Sequence, residues 1–541
     1  MSSLLVRGAL VIDGSNQEPS REDIAVEKGT IAEVAPSIKG RGKAVVEADG
    51  LVAAPGFIDI HSHTDLSIFK HPLAESKALQ GVTTEVIGNC GIGAFPVNDE
   101  RRVALIDYLR MHDFHLPSHQ LGWNNFAQYA DQLDRIGLGL NLAPLVAHGA
   151  LRIAVLGTED HGPHHEELES MKGLLKEALE QGAWGLSTGL IYAPGSFAET
   201  EELVALAKIA AQYEALYASH IRGEGVTLME ALDEAVLIGK EAGVRVEVSH
   251  LKAMGKENWG RGKEVLFKLE KTRQKGVDIG ADQYPYEATS TSLTALIPSW
   301  ALAGGVDELL KKLASLDMKE RLQAEILRAV NQRGGPNRIA IAEIGSVKNI
   351  GLSGKNLSEI AELWDCTPEV AVTRLLQEEK AAVGAVYFSL SEEDVVAILS
   401  DDQVCVGSDG TGMNAEEDSG KSTHPRSYGT FPRILGRYVR EKGTLSLKRA
   451  IYKMTGLAAD RVGLRDRGLI KPGFVADLVL FDPLTIQDRS TFDHPHQYAT
   501  GVVHTWVNGC PVVHEGRITG NTPGKVLRKK TASSYSEKLS G

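Results

Sequence analysis

The sequence predicts an α/β fold: a closed, TIM-like (β/α)8 barrel with a small β-sandwich built from both chain ends. Three observations carry this. Eight short apolar runs in the middle of the chain alternate with longer helical stretches, as βα units require. Residues 1–54 and 466–520 share a different texture, short strands broken by Gly, Asn, Pro and Ser turns. The interval between the seventh and eighth runs, about residues 285–400, is long and reads as an inserted subdomain or lid. A chain of 541 residues exceeds the usual size of one domain, so one large and one smaller unit is the natural division.

Taken in order, strands are expected over 4–12, 24–27, 30–34 and 44–48, and again over 476–482, 502–509 and 510–518. The two ends either join in one sandwich or form separate small sheets, each poorly able to bury its face alone. The barrel, residues 55–465, takes its strands from 57–61, 84–88, 140–147, 184–188, 216–220, 245–250, 278–282 and 404–409. Helical periodicity lies between most of them, over 103–112, 166–180, 201–213, 228–241 and 262–275. The inserted stretch shows helical patterns at 306–313, 318–332 and 367–377. Residues 521–541 are polar and read as a mobile tail.

Composition bounds the function. Hydrophobic residues at 43% and charged residues at 24% are ordinary for a soluble globular protein. A net charge of -13 argues against non-specific nucleic-acid binding, and an anionic substrate would need a local basic site. The four cysteines, Cys90, Cys366, Cys405 and Cys510, show no paired spacing, which fits a reduced cytoplasmic setting better than a disulfide framework. The N-terminus has no signal-peptide pattern and no apolar run is long enough to span a membrane.

The C-terminal ends of barrel strands converge on one face, where the active site of such a fold lies. The first strand, in PGFIDIHSHTD (55–65), runs into His61 and His63, with Asp65 close behind. Side chains two apart on a strand share a face, an economical way to present two imidazoles to one divalent ion. The second strand is followed by Asn89-Cys90-Gly91 and the third by His148. The fifth ends at His220, with Arg222 beyond it, and the sixth at His250, with Lys252 beyond it. The seventh ends at Asp282 and Tyr284, the eighth at Asp409. Four histidines, one cysteine and one aspartate at the same end of successive strands point to a metal site.

These stretches, with GVTTEVIGNCG, GLSTGLIYAPG, SHIRGEG, SHLKAMG, ADQYPYEATSTSL, GSDG and HPRSYGTFPRILG, resemble the amidohydrolase superfamily over nearly the whole chain. Within it they resemble the N-acyl-D-amino-acid deacylases (D-aminoacylases). The resemblance implies a zinc-dependent hydrolase of linear amides. Cys90, His220 and His250 correspond to ligands of one tightly held zinc ion. His61, His63 and Asp409 correspond to ligands of a second, weaker site bridged by Cys90. Many superfamily members bridge their metals with a fourth-strand lysine. Here residues 184–192 contain none, which agrees with Cys90 as the bridge. Asp409 is expected to take the proton of a metal-activated water and pass it to the leaving nitrogen.

The implied substrate is a small anionic N-acyl amino acid. Arg426 is the candidate for its carboxylate, because a guanidinium binds carboxylate through two parallel hydrogen bonds. Lys252, two after His250, is expected on the same face and could assist. Tyr192, Tyr284 and Ser290 resemble further pocket residues of the family. The rival expectation is a cyclic-amide hydrolase of the same superfamily, of the hydantoinase or dihydroorotase kind, against which the missing lysine argues. His148 and Arg222 receive no role, and the sequence does not give the oligomeric state.

Overall fold

The computed structural model describes residues 3–39, 42–112, 121–419 and 422–530. Eight parallel strand positions form the barrel. Phe57–Asp59 pairs with Val82–Ile87, which pairs with Asn141–Pro144. The third position bends at Leu145 and continues as Val146–Ala147 beside Gly185–Gly189. Leu216–His220, Arg245–Val248, Ile279–Gln283 and Val404–Val406 follow in order. The ring closes between its first and last members at the ligand-bearing rim. Asp409 N–H donates to the His61 carbonyl (2.7 Å), and His63 N–H to the Gly410 carbonyl (2.9 Å). The backbone that closes the barrel therefore also fixes three of the expected metal ligands.

Apart from Arg245 at the start of the sixth, the strands are buried along their whole length, with the helices outside. The helix Leu228–Ala242 shows why the periodicity was readable. Leu228, Ala231, Leu232, Ala235 and Ile238 form one buried stripe at helical spacing, and Gly243 ends the helix at φ 65. Its Gly239 lies against the neighbouring strand so closely that a Cβ there would sit 2.7 Å from a Val246 methyl.

The two chain ends share one hydrogen-bonded sheet of nine strands. The weld is Val52–Pro55, which pairs with Leu4–Val11 on one side and with Leu478–Phe481 on the other. Leu4, Val6, Ile24 and Val26 from the first end enclose one core with Leu478, Leu480 and Trp506 from the second. Neither half could bury these faces alone.

Between Gln283 and Val404 the chain builds a small antiparallel sheet, Thr289–Ser292 against Val383–Tyr387 against Ile339–Ile344. Helices Gly305–Ala314, Leu316–Gln332, Leu357–Leu363 and Pro368–Glu378 belong to the same stretch. The C-terminal residues depart from expectation. Residues 521–530 are not a loose tail but lie along the barrel. Gly524 N–H donates to Leu138, Leu527 N–H to Leu142, and the Trp184 indole to the Leu527 carbonyl. Arg528 pairs with Asp131 and Asp134 at 3.0 Å. The polar composition that suggested mobility is used in these contacts. The remainder of the expected tail, 531–541, lies outside the described residues. Among the described residues no helix is long and apolar enough to cross a membrane.

Candidate metal centre

The strand ends bring six side chains into two groups of potential ligands that share Cys90. One is His61, His63, Cys90 and Asp409; the other is Cys90, His220 and His250. Within each group the donor atoms all lie within 4.8 Å of one another. Cys90 Sγ is 3.3 Å from His61 Nε2 and 3.3 Å from His250 Nε2. Asp409 Oδ1 is 2.9 Å from His63 Nε2 and 3.4 Å from His61 Nε2. The His220 and His250 rings meet at 4.4 Å, nearly perpendicular.

A zinc ion fits this donor set. A thiolate, imidazoles and one carboxylate are the ligand types zinc takes. Both ring nitrogens of buried His220 lack a hydrogen-bond partner among the described residues, and a buried imidazole left so would be costly without a ligand. Burial opposes ionisation of Cys90, yet the surrounding imidazoles of His61, His250 and His220 draw the thiol well below its ordinary pKa.

The backbone is bent to make the groups converge. Cys90, His250 and Asp409 all hold left-handed φ values, of 55, 35 and 51. Such conformations cost non-glycine residues on the order of 1–3 kcal/mol each and persist where the surroundings dictate them. Around Cys90 the surroundings are tight. A Cβ on Gly189, at the end of the fourth strand, would lie 1.9 Å from the Cys90 carbonyl oxygen. Gly91 N–H donates to Ser187 Oγ (3.1 Å), and the Gly91 carbonyl accepts from Gly149 N–H and the Tyr108 hydroxyl. The fourth strand thus meets the cysteine loop backbone to backbone.

Two carboxylates stand behind the ligands. Asp282 lies 3.2 Å from His61 Nδ1 and accepts the His250 backbone N–H (2.9 Å), so one side chain orients ligands of both groups. Glu224 lies 3.0 Å from His250 Nδ1 and is ion-paired with Lys252. Such partners fix the imidazole tautomer and raise its basicity. Sequence reasoning noted Asp282 only as a strand end and missed Glu224. The available signal was an acidic residue four after His220 in IRGEG. Asp65 joins neither group. His148 bonds Glu202 (2.7 Å), which also holds Arg152; Arg222 pairs with Glu234 and caps the Ser196 and Ala198 carbonyls. Both are structural contacts.

A cavity of about 230 Å³ opens onto the ligands. Ser290, Tyr192 and Arg426 line it as expected. The Tyr192 hydroxyl shares a hydrogen bond with Thr291 Oγ1 (2.9 Å). Arg426 is already engaged: Nη1 is 2.6 Å from Asp409 Oδ2, and Nη2 donates to the Ser290 carbonyl (3.0 Å). Burial pushes Asp409 upward, but Arg426 and the histidines outweigh it and hold the carboxyl well below its usual range. Lys252 and Tyr284 are absent from the cavity wall. The sixth strand ends at Val248, so the alternation that placed Lys252 beside His250 does not extend to it. Lys252 nevertheless reaches the metal-ligand side, its Nζ 2.7 Å from His250 Nδ1. Tyr284 is buried between two cations, its ring 5.1 Å from the Arg426 guanidinium and 5.7 Å from Lys252 Nζ, and its hydroxyl has no partner among the described residues.

Comparison with known proteins agrees with this geometry. The model of the amidohydrolase family matches residues 44–348 and 393–513. A D-aminoacylase from Alcaligenes xylosoxydans xylosoxydans is 35% identical over 98% of this chain and 98% of its own length. An N-acyl-D-glutamate deacylase from the same organism is also 35% identical, over 97% of this chain and 96% of its own. The crystal structure of N-acyl-D-glutamate deacylase from Bordetella bronchiseptica superposes with a TM-score of 0.82 at 33% identity, covering 97% of this chain and 99% of that one. That structure holds zinc and a phosphonate that mimics the tetrahedral intermediate. The chain is thus a metal-dependent member of the amidohydrolase family, of the D-aminoacylase type.

Proposed function

We propose that the protein hydrolyses the amide bond of N-acyl-D-amino acids, giving a carboxylate and a free D-amino acid. The observation that carries this reading is the sharing of Cys90 by the two ligand groups at the floor of a cavity walled by Arg426. Cys90, His220 and His250 would hold one zinc ion tightly, and His61, His63 and Asp409 a second, weaker one across the Cys90 bridge. Zinc supplies Lewis acidity there, polarising the acyl carbonyl and bringing the pKa of water toward about 7.

The chain's own groups do the rest. Asp409, kept ionised by Arg426, accepts the proton of the attacking water and returns it to the departing amine nitrogen. Asp282 and Glu224 hold the imidazoles in register, so no reorientation is needed during turnover. Arg426 has N–H donors beyond those given to Asp409 and Ser290, and these face the substrate carboxylate, with Ser290 and Tyr192 beside it. Lys252 and Tyr284 support that position from behind. Residues 285–400 act as an inserted subdomain and supply one wall of the cavity. The missing fourth-strand lysine weighs against the cyclic-amide reading.

The enantiomer follows from kinship with the D-specific relatives, since two fixed points on the substrate leave two ways to place the Cα substituents. The D-aminoacylase and the N-acyl-D-glutamate deacylase stand at equal identity, so overall similarity does not choose the amino-acid side chain. The test is amine release from N-acetyl-D-leucine, its L enantiomer and its carboxamide, using zinc-loaded protein. The D acid should react far faster than the other two. Equal rates on both enantiomers would remove the D-aminoacylase reading, and equal rates on acid and carboxamide the role of Arg426.

A further inference from the structure

Three lysine or arginine side chains line the cavity: Lys70, Arg333 and Arg426. Two are neutralised within the protein. Lys70 pairs with Asp418 at 2.7 Å and Arg426 with Asp409 at 2.6 Å. Lys252, just beneath, is matched by Glu224. Arg333 has no carboxylate partner among the described residues. Its Nη1 donates to the Ala329 carbonyl (3.2 Å) and its Nη2 to the Ala295 carbonyl (2.9 Å), using two of the five N–H donors of a guanidinium. The group lies 5.4 Å from the Tyr387 ring centre, an aromatic platform that also lines the cavity.

The inserted sheet ties this cation to the catalytic one. Strand Thr289–Ser292 gives its Ser290 carbonyl to Arg426 and its Ser292 carbonyl to the Tyr387 hydroxyl (3.0 Å) that carries Arg333. The two attachment points are two residues apart, a rise of about 7 Å. Burial lowers the pKa of Arg333 and outweighs the opposing pull of Tyr387, Glu224 and Tyr192, none of which is paired with it. In a protein of net charge -13, a cation in a cavity wall left unmatched has an anion as its natural complement.

We infer that Arg333 is a second anion-binding position in the substrate cavity, and that the preferred substrate carries a second carboxylate besides the α-carboxylate. This rests on the deacylase reading above. The second carboxylate comes either from an acidic amino-acid side chain or from a dicarboxylic acyl group. In either case the substrate is a diacid held at two cationic points, with the scissile amide set over the metal ligands.

The zinc-loaded enzyme is assayed with N-acetyl-D-glutamate, N-acetyl-D-aspartate, N-succinyl-D-leucine and N-acetyl-D-leucine. One diacid class should exceed N-acetyl-D-leucine in kcat/KM by about tenfold or more, and which class does so identifies the source of the charge. In Arg333→Met the preferred diacid should lose roughly 10–100-fold more than N-acetyl-D-leucine, chiefly through KM, and Arg333→Lys should recover part of the loss. A purely structural arginine at a helix end would lower all four substrates together and leave KM ratios unmoved, which overturns the inference. If Arg333→Met does not melt cooperatively, the wild-type ranking and Arg333→Lys decide. N-acetyl-D-leucine leading the wild-type ranking overturns the inference while leaving the deacylase reading intact. Amine release from none of the four overturns that reading itself.

Discussion

The two ligand groups share a cysteine but differ in what surrounds them. In the group of Cys90, His220 and His250, the nitrogens of His220 are unpartnered among the described residues, and Glu224 stands behind His250. The carboxylate nearest His220 Nε2 is Glu224, at 3.6 Å, beyond hydrogen-bond distance. In the group of His61, His63 and Asp409, the carboxylate is already held by Arg426 at 2.6 Å and by His63 at 2.9 Å. An ion there must share its anionic ligand with a guanidinium, so its net gain is smaller. The contrast supports the proposed division, with tight binding in the first group and proton handling in the second.

Substitutions can break this division. Cys90→Ala removes the atom common to both groups and should abolish tightly held zinc together with nearly all turnover. Full zinc content in that variant, by elemental analysis, would separate Cys90 from metal binding. Asp409→Asn keeps the shape and a hydrogen-bond acceptor for Arg426. It should retain the tight zinc and lower kcat by roughly 10²–10⁴-fold. Near-normal turnover would mean that another group moves the proton. Glu224→Gln removes the charge behind His250 and should weaken zinc binding by about 10–100-fold, read by competition with a chromogenic chelator. An unchanged affinity would make Glu224 a partner of Lys252 only. Arg426→Lys keeps the charge but not the planar fork, and should reduce kcat/KM by roughly tenfold through both Asp409 and the substrate carboxylate. If it reduces N-acetyl-D-leucine and its carboxamide by the same factor, its action runs through Asp409 alone.

What was legible in the sequence follows the same physical line. Barrel strands are short apolar runs buried on both faces, and their ends carry chemically distinctive residues, so His61, His63, Cys90, His220, His250 and Asp409 could be read in order. Leu228–Ala242 could be read from the spacing of its buried stripe. Features that depend on chain segments far apart were not legible. Nothing local to Arg426 says that Asp409 will neutralise it, and nothing local to Arg333 says that it will face the cavity without a partner. Strand alternation stops at Val248, before Lys252, and it is the loop beyond that brings Lys252 against His250. Residues 521–530 read as tail because their polar groups find partners on the barrel that only the fold supplies.

The central claim is tested most directly by metal add-back. Chelator-treated wild-type protein should release no amine from N-acetyl-D-leucine, and activity should rise with the first equivalent of zinc. Cys90→Ala should show neither tight binding nor recovery at one equivalent. Full activity in the metal-free wild type, or recovery of Cys90→Ala with one equivalent of zinc, would contradict the account.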